Sequence, residues 1–310
     1  MKAYSVFDDF PKEAVETLVS AGFEVFVHPL GVSRPSEAQM KAILEEYYCV
    51  IIGTSQLITE DMFESITEPR IIGTASVGID HIHIPADKRA LVKIINTPKA
   101  NAQSVAEYTM GCALAACKRL AEGCRLYSKG KNNKQLYRKP EDLNGKILGV
   151  VGAGNISAKI MVYGQLFGMK VLCWTAHPER HSELQDNGVD FVDLDTLLST
   201  ADVISVNLPN NAGTKNLISR GKVALMKDTA TFISVSRRDT LDIEALLERT
   251  EREPGFYVCL DLDVDAEIVS QLSGRSNVLV TPHIAGGTVE TRKRMFREVA
   301  ESIAKSGARR

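Results

Sequence analysis

Residues 146–160 read KILGVVGAGNISAKI, and their order decides the fold. An apolar run, ILGVV, leads straight into Gly152-Ala153-Gly154 and then into a segment of helical composition. Glycines here let the backbone turn sharply. They also let a pyrophosphate approach the first helical turn, where N–H groups and the helix dipole favour anions. The third glycine of a Gly-x-Gly-x-x-Gly pattern is replaced by Ser157, still small enough for close helix–strand packing. A Gly-x-Gly alone is common, and a plain tight turn is the alternative reading; the strand before it and the helix after it give it meaning.

Outward from that turn, apolar runs alternate with helical patterns in both directions. Downstream lie KVLCWT, VDFV, DVISVNLP, TATFISVS, FYVCLDL and NVLVTP; upstream lie KAYSVF, FEVFVH, CVIIGT, RIIGTAS and LVKIINTP. The upstream runs are separated by helix-patterned segments such as PKEAVETLVSAG and SEAQMKAILEEYY. Repeated β-α-β units imply parallel sheets with helices on both faces. The stretch 102–127, rich in Ala, Leu, Cys and Met, reads as one long, largely buried helix. The polar run SKGKNNKQLYRKPEDLNGK after it reads as an exposed excursion. The last helix, from about Val289, has no strand of the second sheet left to cover. It is expected to return to the first domain and make that domain discontinuous.

Composition narrows the class. The 310 residues are 44% hydrophobic and 25% charged, with a formal net charge of −2, so no large field favours nucleic acid or an anionic membrane. The basic run Arg292-Lys293-Arg294 reads as a solvated helix face. No apolar run reaches the ~18–20 residues that span a bilayer, and the early acidic DDFPKE does not suit a secretory leader. The cysteines at 49, 112, 117, 124, 173 and 259 form no Cys-x-x-Cys pair, and Cys173 and Cys259 sit in apolar runs as small buried hydrophobes. A reduced, cytoplasmic protein is expected.

Dinucleotide folds place an acid about 20 residues after the glycine turn, on the adenosine ribose. Thr175 stands there instead, in VLCWTAHPERH. Without a carboxylate nothing repels a 2′-phosphate, and Thr175, His177, Arg180 or His181 could meet one. NAD and NADP both stay open, as does an ordinary polar loop.

Several motifs together resemble the D-isomer-specific 2-hydroxyacid dehydrogenases. They are SVGIDHIHI (76–84), NTPKANAQSVAEYTM (96–110), LNGKILGVVGAGNI, ADVISVNLPNNAGTKNLI and TPHIAGGTVETR (281–292). The resemblance runs along nearly the whole chain. It implies an α/β fold of two parallel-sheet domains. One is a Rossmann cofactor domain (99–284), the other a flavodoxin-like, discontinuous substrate domain (1–98 and 285–310). It further implies hydride transfer between a nicotinamide and a small 2-hydroxy or 2-keto acid, and a homodimer with the helix from Ala102 at its interface.

The same resemblance assigns roles. FISVSRRDTLD aligns its closing Asp242 so that Arg237 is the arginine holding the substrate's carboxylate and carbonyl, and Arg238 replaces a glycine. A planar, always charged guanidinium suits that task; a surface pair with Asp239 is the alternative. His283, after a strand and Pro282, is the acid/base residue. Ser76, Val77 and Gly78 would offer backbone N–H groups to the carboxylate. Gly152, Gly154, Asn155, Ile156, Thr175, Leu208, Pro209, Val235, Ser236, Asp261, His283 and Gly286 would line the cofactor, with Asp261 at the nicotinamide carboxamide.

The stretch LDLDVDAE (260–267) is not an EF-hand, because Ala266 and Leu272 stand where Gly and Glu are needed. His81-Ile82-His83 has no accompanying ligand cluster, so no metal is expected. The family places the histidine's carboxylate partner where this chain has Ala266. Glu267, Asp265 or no carboxylate at all remain the alternatives. Two other functions stay in view: a non-catalytic dinucleotide sensor on the same fold, and oxidation of another small anion such as formate or phosphite.

Overall fold

A computed structural model describes residues 1–131, 139–262, 266–272 and 275–307, with the backbone alone at 266, 267 and 272. The chain divides into two compact units, residues 1–101 with the segment from Thr288, and residues 102–287.

The first unit is built on β1 (Lys2–Ser5), β2 (Glu24–Val27), β3 (Cys49–Ile52), β4 (Arg70–Thr74) and β5 (Val92–Ile95). All pair in parallel, in the order β2-β1-β3-β4-β5, a doubly wound arrangement of flavodoxin type. Helices α1 (Lys12–Ser20) and α2 (Glu37–Glu46) connect the early strands. SEAQ is a capping box in fact: Ser36 Oγ accepts from Gln39 N, and Gln39 Oε1 accepts from Ser36 N. The last helix, Val289–Gly307, buries Phe296, Val299, Ala300 and Ile303 in the core of this unit. It lies directly on β4 at Gly73, where a Cβ would stand 2.8 Å from Ile303 Cδ1 and 3.0 Å from Val299 Cγ2. Arg292 ties it down with a two-armed contact to Asp9, Nε to Oδ2 at 2.7 Å and Nη2 to Oδ1 at 2.6 Å.

The second unit carries seven parallel strands: β6 (Ile147–Val151), β7 (Lys170–Trp174), β8 (Asp190–Phe191), β9 (Val203–Val206), β10 (Thr231–Ser234), β11 (Tyr257–Asp261) and β12 (Val278–Thr281). Their order is β12-β11-β10-β9-β6-β7-β8, so the winding reverses between β6 and β9, and ligands bind outside the carboxyl ends of strands at such a switch. Its helices are α3 (Ala102–Cys117), α4 (Leu120–Ser128), α5 (Asn155–Leu166), α6 (Ser182–Asp186), α7 (Leu194–Thr200), α8 (Arg220–Leu225), α9 (Ile243–Arg252) and α10 (Ala266–Leu272). Two apolar layers sandwich the sheet, one around Phe232, Leu246 and Phe256, the other around Ala113, Ile160 and Tyr257. Cys173 and Cys259 are fully buried within it.

The α/β architecture of two parallel sheets is as expected, but the helix read over 102–127 is two helices. Glu141 N takes the Cys117 carbonyl at 2.9 Å, which a continuing helix would have used, and Arg119 turns left-handed at φ 54°. Its guanidinium stacks 5.3 Å from the Tyr257 ring centre, and Lys118 pairs with Asp142. Of the polar excursion, residues 132–138 lie outside the described residues. Among the described residues, no helix is long and apolar enough to cross a membrane.

Candidate active site

The glycine turn sits at the switch point of the second sheet. Gly152 closes β6 with φ +104°, and a Cβ there would meet the backbone oxygen of Asn207 at 2.7 Å, so only glycine fits both the conformation and the contact. Gly154 is the N-cap of α5, without a side-chain cap, and a Cβ on it would meet nothing within 4 Å. Open space over an uncapped helix start is the cradle that a pyrophosphate needs. Asn155 and Ile156 form the first turn of that helix. Ser157 is fully buried where the third glycine would be, and its hydroxyl finds no partner among the described residues, so it is there for its size.

Across the switch, Ser236 stitches the loops after β9 and β10. Its hydroxyl donates to Val206 O at 3.0 Å and accepts from Leu208 N at 2.7 Å, while Val235 N reaches Val206 O at 3.3 Å. The expected cofactor residues Leu208, Val235 and Ser236 are therefore brought together, with the Ser236 side chain committed to holding the loops. Pro209 follows, exposed.

At the ribose end, β7 stops at Trp174 and Thr175 is half-buried. His177 N reaches Thr175 Oγ1 at 3.5 Å. Glu179 Oε1 lies 3.2 Å from His177 Nδ1 and 3.9 Å from Arg180 Nε, so one carboxylate is shared by two basic groups. The backbone N–H of Glu179 itself, against slight burial and with His177 and Arg180 adding to it, holds that carboxyl below its ordinary range. His181 leans to Glu183 instead, at 3.6 Å.

The arginine and histidine expected to react meet where β10 and β12 end. Arg237 follows β10, and its carbonyl accepts from Thr240 N at 3.1 Å and Thr240 Oγ1 at 2.8 Å. Its guanidinium nitrogen Nη1 lies 3.1 Å from His283 Nε2. The same nitrogen lies 3.5 Å from His283 Nδ1, so the guanidinium sits against both ring nitrogens. His283 is exposed, with φ +51° and its N–H turned back to Thr281 O at 3.0 Å. Arg238 begins a short 3-10 turn without positive φ, so the missing glycine imposes no backbone penalty.

Asp261 ends β11 nearly fully buried. Its Oδ1 accepts from Thr281 Oγ1 at 2.6 Å and Ile284 N at 2.8 Å, and Oδ2 accepts from Ala285 N at 2.8 Å. The residue expected at the nicotinamide thus also grips the His283 loop from both sides; Gly286 lies just beyond that grip. The candidate partners of His283 fall outside what is described: Asp265 altogether, and Glu267 in its side chain.

In the first unit, the loop 76–78 is braced from below. Thr74 Oγ1 lies 2.8 Å from Ser76 Oγ and 3.2 Å from His81 Nε2, and Ser76 Oγ donates to Gly78 O at 2.7 Å. Asn96 Nδ2 donates to Val77 O at 2.7 Å, and Thr97 N and Oγ1 both donate to Ser76 O. Ser76, Val77 and Gly78 therefore have their carbonyls and the serine hydroxyl engaged by protein. Among the described residues, no group of three or more His, Cys, Asp or Glu side chains could hold a metal ion. Thr74, His81, Asn96, Tyr108 and Thr281 are the supporting residues that sequence reasoning missed. Each lies in or beside a quoted motif, but nothing in the sequence says which residues it bonds to.

A dinucleotide cradle beside an arginine–histidine pair at strand ends defines a nicotinamide-dependent oxidoreductase. The chain belongs to the D-isomer specific 2-hydroxyacid dehydrogenase family, whose NAD binding domain matches residues 110–285. Over 306 residues, 97% of this chain and 96% of the relative, it is 33% identical to hydroxypyruvate reductase of Thermotoga maritima. It is 29% identical to glyoxylate reductase of Thermofilum pendens over 287 residues, 90% of this chain and 84% of the relative. The D-lactate dehydrogenase of Aquifex aeolicus, solved with NAD and lactic acid, superposes with a TM-score of 0.78 at 26% identity, covering 98% of this chain and 94% of that one. The reaction class follows from membership: hydride transfer between a nicotinamide dinucleotide and a 2-hydroxy or 2-keto acid.

Proposed function

We propose that this enzyme reduces a small 2-keto acid of the glyoxylate or hydroxypyruvate kind, with Arg237 as the anion clamp and His283 as the acid. The observation that carries this reading is the 3.1 Å contact between Arg237 Nη1 and His283 Nε2. A guanidinium that touches the imidazole can hold a carboxylate and its neighbouring carbonyl bidentately beside the proton donor. The bound dinucleotide supplies the hydride. His283, once protonated, gives its proton to the carbonyl oxygen as the alcohol forms, and takes it back in the oxidation direction. The N–H groups of Ser76, Val77 and Gly78 hold the substrate carboxylate, and Glu267 serves as the carboxylate partner that favours the imidazolium.

The cofactor in this reading is NADP(H). Thr175 stands where a carboxylate would repel a 2′-phosphate, and His177 and Arg180 follow it in the same loop. Residues 99–284 act as the cofactor domain, and residues 1–98 with 285–310 as the substrate domain. The working form is a cytoplasmic homodimer whose interface uses the segment after Ala102, where Leu120 and Tyr127 are 55% and 70% exposed; sedimentation velocity at micromolar concentration tests that.

The deciding measurement is dinucleotide binding, NADPH against NADH, followed by a 2-keto acid screen with the tighter one. Turnover of glyoxylate or hydroxypyruvate that Arg237→Ala lowers by orders of magnitude is the expected result. Binding without turnover of any 2-keto acid would replace this reading with that of a dinucleotide sensor.

A further inference from the structure

His283 sits at φ +51°, in a left-handed backbone conformation that residues with a side chain adopt only at a cost, although histidine is among those that tolerate it better. Something must hold it there. The grip comes from Asp261, which bonds the hydroxyl two residues before His283 and the amides one and two residues after it. The two strand ends are in register, Asp261 opposite Thr281.

The grip has a further member. Thr281 spends its only hydroxyl proton on Asp261, so the second contact of its oxygen must be with a donor. That donor is Tyr108 Oη, 2.5 Å away, reaching across from α3. Burial pushes the Tyr108 phenol well above its ordinary range, against the Thr281 hydrogen bond, so it keeps its proton at any working pH. The ionisable groups facing it are Cys112 of its own helix and Asp261.

We propose that Tyr108 is a positioning residue for His283, acting from α3 through Thr281 and Asp261. The inference rests on the assignment of His283 as the acid/base group. The Tyr108 hydroxyl fixes which way the Thr281 hydroxyl points. That orientation holds one end of the Asp261 carboxylate, and the carboxylate holds the loop. Without the phenol, Thr281 is free to turn away and the imidazole loses its fixed place beside Arg237.

Four single variants and one double test this with the best substrate from the keto acid screen: Tyr108→Phe, Thr281→Val, Thr281→Ser, His283→Asn, and Tyr108→Phe combined with Thr281→Val. Tyr108→Phe keeps the ring in its packing and removes only the hydroxyl. It should lower kcat about five- to twentyfold while the dinucleotide Kd stays within twofold of wild type. Thr281→Val should do the same, Thr281→Ser should restore wild-type kcat, and Tyr108→Phe added to Thr281→Val should cost nothing further. In the ligand-free protein, the His283 ring NMR signal, assigned by its loss in His283→Asn, should broaden in Tyr108→Phe and Thr281→Val but not in Thr281→Ser. An inactive His283→Asn beside a full-speed Tyr108→Phe, or losses that simply add, overturns the inference alone. A fully active His283→Asn overturns the acid/base assignment and the inference with it.

Discussion

Arg237, His283 and Asp261 carry most of what single residues decide here. Arg237→Ala should lower turnover by about 10²–10³-fold, the range seen when one fixed donor to a developing oxyanion is lost. Dinucleotide affinity should stay near wild type, as fluorescence titration would read. At Asp261, both oxygens face donors. Asp261→Asn therefore turns an N–H₂ toward one of them. The expected cost is about 1–3 kcal/mol of stability, measured by denaturant unfolding. At Thr175, an introduced aspartate should restore repulsion toward a 2′-phosphate; Thr175→Asp is expected to move the NADPH-to-NADH Kd ratio at least tenfold toward NADH. The site was partly legible at this scale. The glycine turn was legible because residue type and spacing carry its chemistry, and Arg237 and His283 were assigned from the resemblance of their motifs. Tyr108 and Thr281 were not, because a hydroxyl says nothing about its partner when that partner is 173 residues away.

At the scale of elements, strand-to-helix alternation was readable because buried parallel strands are continuous apolar runs and their connecting helices are amphipathic. The break between α3 and α4 was not readable. Residues 118–119 have ordinary helical composition, and the break depends on Glu141 returning to take a carbonyl. Packing between elements shows the same dependence at Gly73. Nothing in RIIGTAS marks that glycine as the seat of the last helix, yet a Cβ there would stand 2.8 Å from Ile303 Cδ1. Gly73→Ala should destabilise the first unit by about 1–3 kcal/mol through overpacking, seen as a lower urea midpoint.

For the whole molecule, the last helix makes the first unit discontinuous, so Asp9 and Arg292 tie chain ends that are 283 residues apart. The Arg292 guanidinium, against partial burial, holds the Asp9 carboxyl below its ordinary range. A carboxyl with a depressed folded pKa adds stability above its unfolded value near 3.9, and that stability is lost as pH falls through the lower folded value. Both side chains are roughly half exposed, at 46% and 49%, so the gain is only about 0.5–1 kcal/mol. Asp9→Asn should therefore lower the urea midpoint slightly at pH 7 and leave it unchanged near pH 2. The Arg292 guanidinium also lies over Phe296, 5.0 Å from the ring centre.

By itself the sequence determined the two parallel sheets and the glycine turn between strand and helix, because apolar period and glycine placement are local properties, and the resemblance of its motifs proposed the arginine and the histidine. Tertiary structure alone decided that Arg238 needs no positive φ, that Ser236 and Asp261 are committed to holding loops, and that a tyrosine on α3 reaches the histidine's strand. Hydrogen bonds and close packing join residues distant in the chain, and their geometry exists only once the strands are in register.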